Sequence, residues 1–235
     1  MQRYLGTALL AAALVLGGSP SIAAPHLLHY LTVDELRPTL VLPAPPAPGS
    51  LEERGELAEI HALIAAAPPA RLDQARWDDT HETPALFDRT LGVTLETLPL
   101  TWALLREVQE EGDAAADVAK LYFHRTRPFG IDPTIPNCAK TGKPLKSYPS
   151  GHATLGYSTG FVLAHLLPGR SAEILDRAAD YATGREYCGV HFPTDVEASH
   201  VLGTLVASKL MAIPAFRVKF DAARQELIAA HVAGV

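Results

Sequence analysis

What most constrains this chain is its punctuation. Apolar residues recur at three- and four-residue spacing in one segment after another, and prolines mark the ends. The two-residue alternation of a half-buried strand is almost absent. From Leu51 onward, Leu57, Ile60, Leu63 and Ile64 follow one helical face until Pro68-Pro69 stops them. The same reading predicts helices over 69–80, 84–91, 98–110 (closed by Gly112) and 113–125, the last ending before Arg127-Pro128. Four more are expected near 151–167, 171–184, 194–211 and 214–231. Residues 128–149, rich in Pro, Gly, Lys and Asn, read as one long loop, a length usually reserved inside a domain for function or mobility. With 235 residues, 48% of them hydrophobic, there is material for one domain with a real core and not for two. The expectation is an all-α, single-domain helical bundle over residues 51–235.

The N-terminal part reads differently. Arg3 supplies a positive start, residues 5–16 an apolar run, and Ser21-Ile22-Ala23 a small-x-small cleavage site. Residues 1–23 are therefore expected to be a signal peptide, cut after Ala23 or Ala24; a membrane anchor needs roughly 20 apolar residues, more than this run provides. Residues 24–50, with Pro43, Pro45, Pro46 and Pro48, are expected to form an extended lead-in. No later stretch is long and apolar enough to span a bilayer, so an exported protein with no membrane span, periplasmic or secreted, is expected. In that setting Cys138 and Cys188 are expected to pair as a disulfide, the alternative being two buried thiols. Neither lies in a Cys/His cluster, so no metal site is expected.

A formal charge of −6 argues against a nucleic-acid partner and means that an anion must be caught by a local cluster of cations. Three places supply the groups for one. Lys120 and Arg127 are seven residues apart; on one helix they would leave the same face about 10 Å from each other and converge on a small anion. Tyr148-Pro149-Ser150-Gly151-His152 stands before an apolar helix, where free backbone N–H groups suit a phosphate and Gly151 permits close approach. In the third, Pro193 suits the first position of a helix, Asp195 its first turn, and Asp195 can reach back to orient His191 as a lone-pair nucleophile. Arg185, six residues before His191, adds a planar fork of donors. A metal reading of His191 and Asp195 lacks a third ligand at a recognisable spacing. Taken singly, each piece has an ordinary structural explanation: a solvated helix face, an N-cap, a structural ion pair.

In this order, Lys-x6-Arg-Pro, Pro-Ser-Gly-His and Arg-x5-His-x3-Asp resemble the three-part signature of the type 2 phosphatidic acid phosphatase superfamily. The match spans residues 120–195 and departs at one fixed position, where Gly184 stands for the usual Ser. Within the superfamily the chain looks most like the class A bacterial nonspecific acid phosphatases, with Asn137-Cys138 and Cys188-Gly189-Val190-His191 similar to that group. Lys146 and Ala153 replace that group's common Gly and Thr around Pro-Ser-Gly-His.

The resemblance implies a helical bundle with its site between helices, and a metal-free, cofactor-free hydrolase of small phosphate monoesters. Lys120, Arg127, Ser150, Gly151 and Arg185 would bind phosphate, His191 would attack, Asp195 would orient it and His152 would protonate the leaving group. At Gly184 the backbone N–H is expected to remain for phosphate while a hydroxyl contact is lost. His191 must be neutral and His152 charged, so an acidic to mildly acidic optimum is expected. The alternatives are a vanadium haloperoxidase, a lipid phosphate or pyrophosphate phosphatase, and a phosphate-binding protein without turnover. Relatives are often dimers or larger, so a homo-oligomer is possible, and Phe216, Phe220 and Leu227 are candidates for either an interface or the core.

Overall fold

The structure, a computed structural model, describes residues 27–138 and 145–235. The expected signal peptide, 1–23, lies outside them. Among the described residues there is no strand, and the chain is all-α. Two one-turn helices come first, α1 (Val33–Leu36) and α2 (Pro38–Val41), followed by α3 (Leu51–Ala66) and α4 (Pro69–Asp79). A 3-10 turn, Pro84–Phe87, leads into α5 (Asp88–Leu91), and another, Leu95–Thr97, into the long α6 (Pro99–Phe123). The one-turn α7 (Pro128–Ile131) precedes α8 (Gly151–Leu166), α9 (Ser171–Tyr187), α10 (Pro193–Ala212) and α11 (Pro214–Ala229). Six of these helices begin with proline at the first position, which lacks the N–H a first turn cannot satisfy anyway.

The core surrounds α8, which is packed by α6, α9 and α10. Val162, Leu163, Leu166, Ile174, Tyr181, Leu202, Val206 and Leu210 are all fully buried there. Phe216, Phe220 and Leu227 of α11 belong to the same core, which settles their role as packing.

Three readings of the sequence change. Gly112 does not close a helix. A Cβ on it would fall 2.6 Å from Ser158 Oγ, so the glycine is there to let α6 and α8 touch, and α6 runs straight through it. Near the other end, α6 stops at Phe123, earlier than expected, because His124 turns into the left-handed region (φ 46°). Lys120 and Arg127 thus do not share a helix face; the turn at His124, not helical spacing, decides where Arg127 goes.

The segment expected to be an extended lead-in carries α1 and α2 and contributes Leu31, Leu36 and Leu42 to the core. It is fastened by Glu111, fully buried, which accepts the N–H groups of His29, Tyr30 and Leu31 at 2.7–3.1 Å. A carboxylate also closes the other end of the bundle. Glu226 of α11 accepts the N–H groups of Leu100 and Thr101, orphan donors of the first turn of α6. Cys138 and Cys188 form a disulfide. Among the described residues, no single helix is long and apolar enough to cross a membrane.

Candidate active site

The ends of α6, α8, α9 and α10 meet behind α4, and each delivers one part of the site. Lys120 lies in the last turn of α6, buried, with Nζ 3.3 Å from Asp117 Oδ1. Burial pushes its ammonium pKa down, with Arg127 adding to the effect and Asp117 and Asp113 opposing it. Ser150 caps α8, its Oγ accepting the N–H of Ala153. A Cβ at Gly151 would lie 3.1 Å from Lys120 Nζ and 2.5 Å from Asp113 Oδ1. Glycine at this position is what allows the ammonium to sit against the first turn of α8. The N–H of Ser150 is not free as expected, since it donates to Ser199 Oγ at 2.8 Å. The amides of Gly151 and His152, the first two of the helix, have no helical carbonyl to bond.

His191, Arg127 and Arg185 form the centre. His191 is 1% exposed, at the start of the turn into α10. Its Nε2 is 3.2 Å from Arg127 Nη1. A guanidinium nitrogen only donates, so Nε2 must be the acceptor and the ring proton is on Nδ1. That nitrogen faces Asp195 Oδ2 at 3.4 Å, an ion-pair distance without a hydrogen bond. Burial drives the His191 pKa well below its ordinary value, and Arg127, Arg185, Lys120 and His152 push the same way. The imidazole is therefore neutral, with its lone pair on the side of the cations. Arg127 is itself pushed down to about 10 by burial and by Arg185, which leaves it charged at any pH of interest.

Arg185 is 2% exposed, near the end of α9. Its Nη2 pairs with Asp79 Oδ1 at 2.7 Å, while Nε and Nη1 are buried without a hydrogen-bond partner. Two unmet donors in one buried guanidinium cost about 1–3 kcal/mol each. An anion placed between Arg185, Arg127 and Lys120 would satisfy them.

His152, the second residue of α8, is half-buried. Its Nε2 is 2.8 Å from Glu82 Oε1 and 3.2 Å from the carbonyl of Asp79. The structure thus brings together all eight residues named from the sequence: Lys120, Arg127, Ser150, Gly151, His152, Arg185, His191 and Asp195. The disulfide tethers the segment after α7 to the turn that carries His191; the Cys138 N–H also donates to the Cys188 carbonyl.

Gly184 does not do what the sequence suggested. It lies inside α9, where its amide belongs to the helical ladder and not to a ligand. A Cβ there would face Asp78, Ala75 and Arg71 of α4, the nearest contact being Asp78 Oδ2 at 3.6 Å. A side chain at this position points into the α4–α9 seam.

Several residues of the site were not read from the sequence. Asp79 stands at the C-terminus of α4, where a carboxylate opposes the helix dipole, and that misfit was a usable signal of a partner elsewhere. Arg125, two residues before Arg127 in non-helical chain, turns inward and donates to Asp195. Glu56 lies on the buried face of α3 with Glu53 and Ile60, a carboxylate where an apolar residue is expected.

Residues 111–219 match the family model of the PAP2 superfamily. The chain is 32% identical over 148 residues to a non-specific acid phosphatase of Salmonella typhimurium, a stretch covering 60% of this chain and 59% of that protein. It is 36% identical over 113 residues to an acid phosphatase of Zymomonas mobilis, covering 46% and 42%. A non-specific acid phosphatase of Providencia stuartii matches at 27% over 223 residues, covering 85% and 84%. The chain thus spans less than two thirds of the length of the first two of these relatives.

Proposed function

We propose that this chain, a member of the PAP2 superfamily, is an acid phosphatase that hydrolyses small phosphate monoesters through a covalent phosphohistidine on His191. The observation that carries the reading is the neutral, buried His191 beside the two unmet donors of Arg185. A nucleophile and donors suited to an anion stand side by side.

In the mechanism the phosphoryl oxygens are held by Lys120, Arg127, Arg185, the Ser150 hydroxyl and the first amides of α8. The cations spread along the equatorial oxygens, where charge develops during phosphoryl transfer. His191 Nε2 attacks phosphorus, forming the N–P bond as the P–O bond to the alcohol breaks. His152 gives its proton to the departing alkoxide. The phosphorylated ring now carries positive charge, and Asp195 on the Nδ1 side compensates it. Water then attacks phosphorus as the N–P bond breaks and its electron pair returns to His191 Nε2; His152 takes the proton of the water, and inorganic phosphate leaves. Three fixed cations supply the charge stabilisation, so the proposed reaction uses no metal and no cofactor.

The neutral state of His191 survives into acid, because burial and the cations depress its pKa, while His152 must be protonated to act as the acid. Their overlap places the optimum on the acidic side of neutrality. We also propose that residues 1–23 direct export and that the mature protein works in the periplasm or outside the cell; the disulfide is consistent with an oxidising compartment.

The test is hydrolysis of p-nitrophenyl phosphate across pH 4–9 by mature protein in EDTA, with His191→Ala beside it. The expected result is turnover with an acidic optimum, absent from the variant, together with an acid-labile, alkali-stable phosphoryl adduct trapped on the wild type. Turnover that survives in His191→Ala refutes the mechanism. Folded wild-type protein that binds phosphate but turns nothing over refutes the enzyme reading.

A further inference from the structure

Behind His191, away from the anion cradle, a second buried arginine stands between two carboxylates. The Arg125 side chain is 3% exposed and stacks over the Phe192 ring, 3.8 Å from its centroid. Its Nη1 donates to Asp195 Oδ1 and to Thr194 Oγ1, both at 2.7 Å, and its Nη2 to Glu56 Oε2 at 2.5 Å. Glu56 Oε1 in turn accepts the N–H and the hydroxyl of Thr194 at 2.9 and 2.6 Å. The main chain of Arg125 takes part as well. Its carbonyl accepts the N–H of Ser147, and the Ser147 hydroxyl donates to Asp195 Oδ2 at 2.6 Å. Arg125 therefore acts on both oxygens of Asp195, one directly and one through Ser147, while Oδ2 also accepts the Phe192 N–H at 2.9 Å.

We propose that Arg125 is the positioning residue of the His191–Asp195 pair: it locks the carboxylate with Oδ2 toward Nδ1 and offsets its charge, so the nucleophile stays oriented and neutral. The kinetic half of this inference rests on the phosphatase reading. Asp195 left alone beside His191 would hold a proton on the ring and remove the lone pair. With Arg125 on its far oxygen, its field at the imidazole is reduced. The other charges around His191 are Lys120 on α6, Arg127 in the segment after it, His152 on α8 and Arg185 on α9, the last paired with Asp79 of α4. Those facing Arg125 are Glu56 of α3, Asp195 of α10 and the Tyr148 hydroxyl; Glu186 of α9, which burial pushes up to about 7, acts on Asp195 and Glu56 from the next helix. None of the phosphate-side cations touches Asp195, so Arg125 is the cation that speaks to the carboxylate directly.

The experiment compares wild type with R125K and with the double variant R125M/E56Q, in which Glu56 is not left as a stranded buried charge. Far-UV circular dichroism and a cooperative melt establish folding. In R125M/E56Q, kcat for p-nitrophenyl phosphate is expected to fall about ten- to a hundredfold while KM stays within about twofold, since no phosphate contact is altered. The acidic limb of kcat/KM is expected to move up by about one pH unit, the size of a unit charge at that remove in a partly polar interior. R125K keeps the charge and loses the fork, so its limb stays in place while kcat drops several-fold.

In ligand-free protein labelled with 15N-histidine, the His191 ring (identified by its loss in His191→Gln) is expected to titrate at higher pH in R125M/E56Q. That readout needs no turnover, so it separates failure of this inference from failure of the phosphatase reading. Wild-type kcat, limb and His191 titration in folded R125M/E56Q overturn the inference, as does a loss that falls only on KM. Wild-type kcat in R125K overturns the requirement for the guanidinium fork.

Discussion

If Arg185 is held ready for an anion, removing it should weaken catalysis and strengthen the empty fold at the same time. The perturbation is Arg185→Met with Asp79→Asn, because the single change would strand the Asp79 carboxylate that now pairs with Nη2 at 2.7 Å. Two charge-assisted hydrogen bonds to phosphate, from Nε and Nη1, are worth about 1.5–3 kcal/mol each. Their loss lowers kcat/KM by about 10²–10⁴-fold, at one decade per roughly 1.4 kcal/mol. The same two donors are buried and unmet in the empty protein, so deleting them relieves about 1 kcal/mol or more. For a domain of this size that is a rise of about 2–4 °C in Tm without phosphate. Calorimetry with and without inorganic phosphate, beside steady-state kinetics, reads both halves. Wild type gains Tm with phosphate by mass action, and the variant loses that gain. A variant within threefold of wild-type kcat/KM, or one whose phosphate-induced Tm gain is unchanged, would refute the assignment of Arg185 to the anion.

Three further outcomes follow from the same geometry. His191 has a folded pKa below its unfolded one, so the unfolded chain binds the extra proton and stability is lost as pH falls below about 6.5; between pH 7 and 5, wild type should lose more Tm than His191→Gln, and equal slopes would show that the ring is not held neutral by the fold. The disulfide closes a separation of 50 residues, worth about 4 kcal/mol in chain entropy, and Cys138→Ala/Cys188→Ala should lower Tm by about 8–16 °C in a scanning melt. Gly184→Ser should leave kcat/KM for p-nitrophenyl phosphate within about twofold, since a Cβ there faces α4 and not the cradle; a tenfold gain would restore the phosphate role that the sequence suggested.

The helices were legible because helix formation here is governed by local rules. Proline at first positions, serine caps at Ser50 and Ser150, and three- and four-residue apolar spacing act within a turn or two, so the boundaries of α3, α8, α10 and α11 follow from neighbouring residues. The failures share one cause. Gly112 looks like a terminator in one dimension; only the closeness of Ser158 across the bundle makes it a contact point inside α6. His124 adopts a left-handed conformation that no local pattern demanded, and it redirects the two arginines that follow.

The site divides in the same way. The sequence by itself determined which groups are available for the proposed chemistry, because phosphoryl transfer to an imidazole would need a small set of residue types, and their order along the chain is visible without a fold. Only the tertiary structure decided their states. The protonation of His191 depends on burial and on cations from three other segments, and the orientation of Asp195 on Arg125 and Ser147. The poise of Arg185 depends on an acid at the end of α4. Fields and desolvation are summed over space, not along the chain: residues 56, 125 and 195 become neighbours, and so do 79 and 185, only when α3, α4, α9 and α10 have packed around the segment after α6.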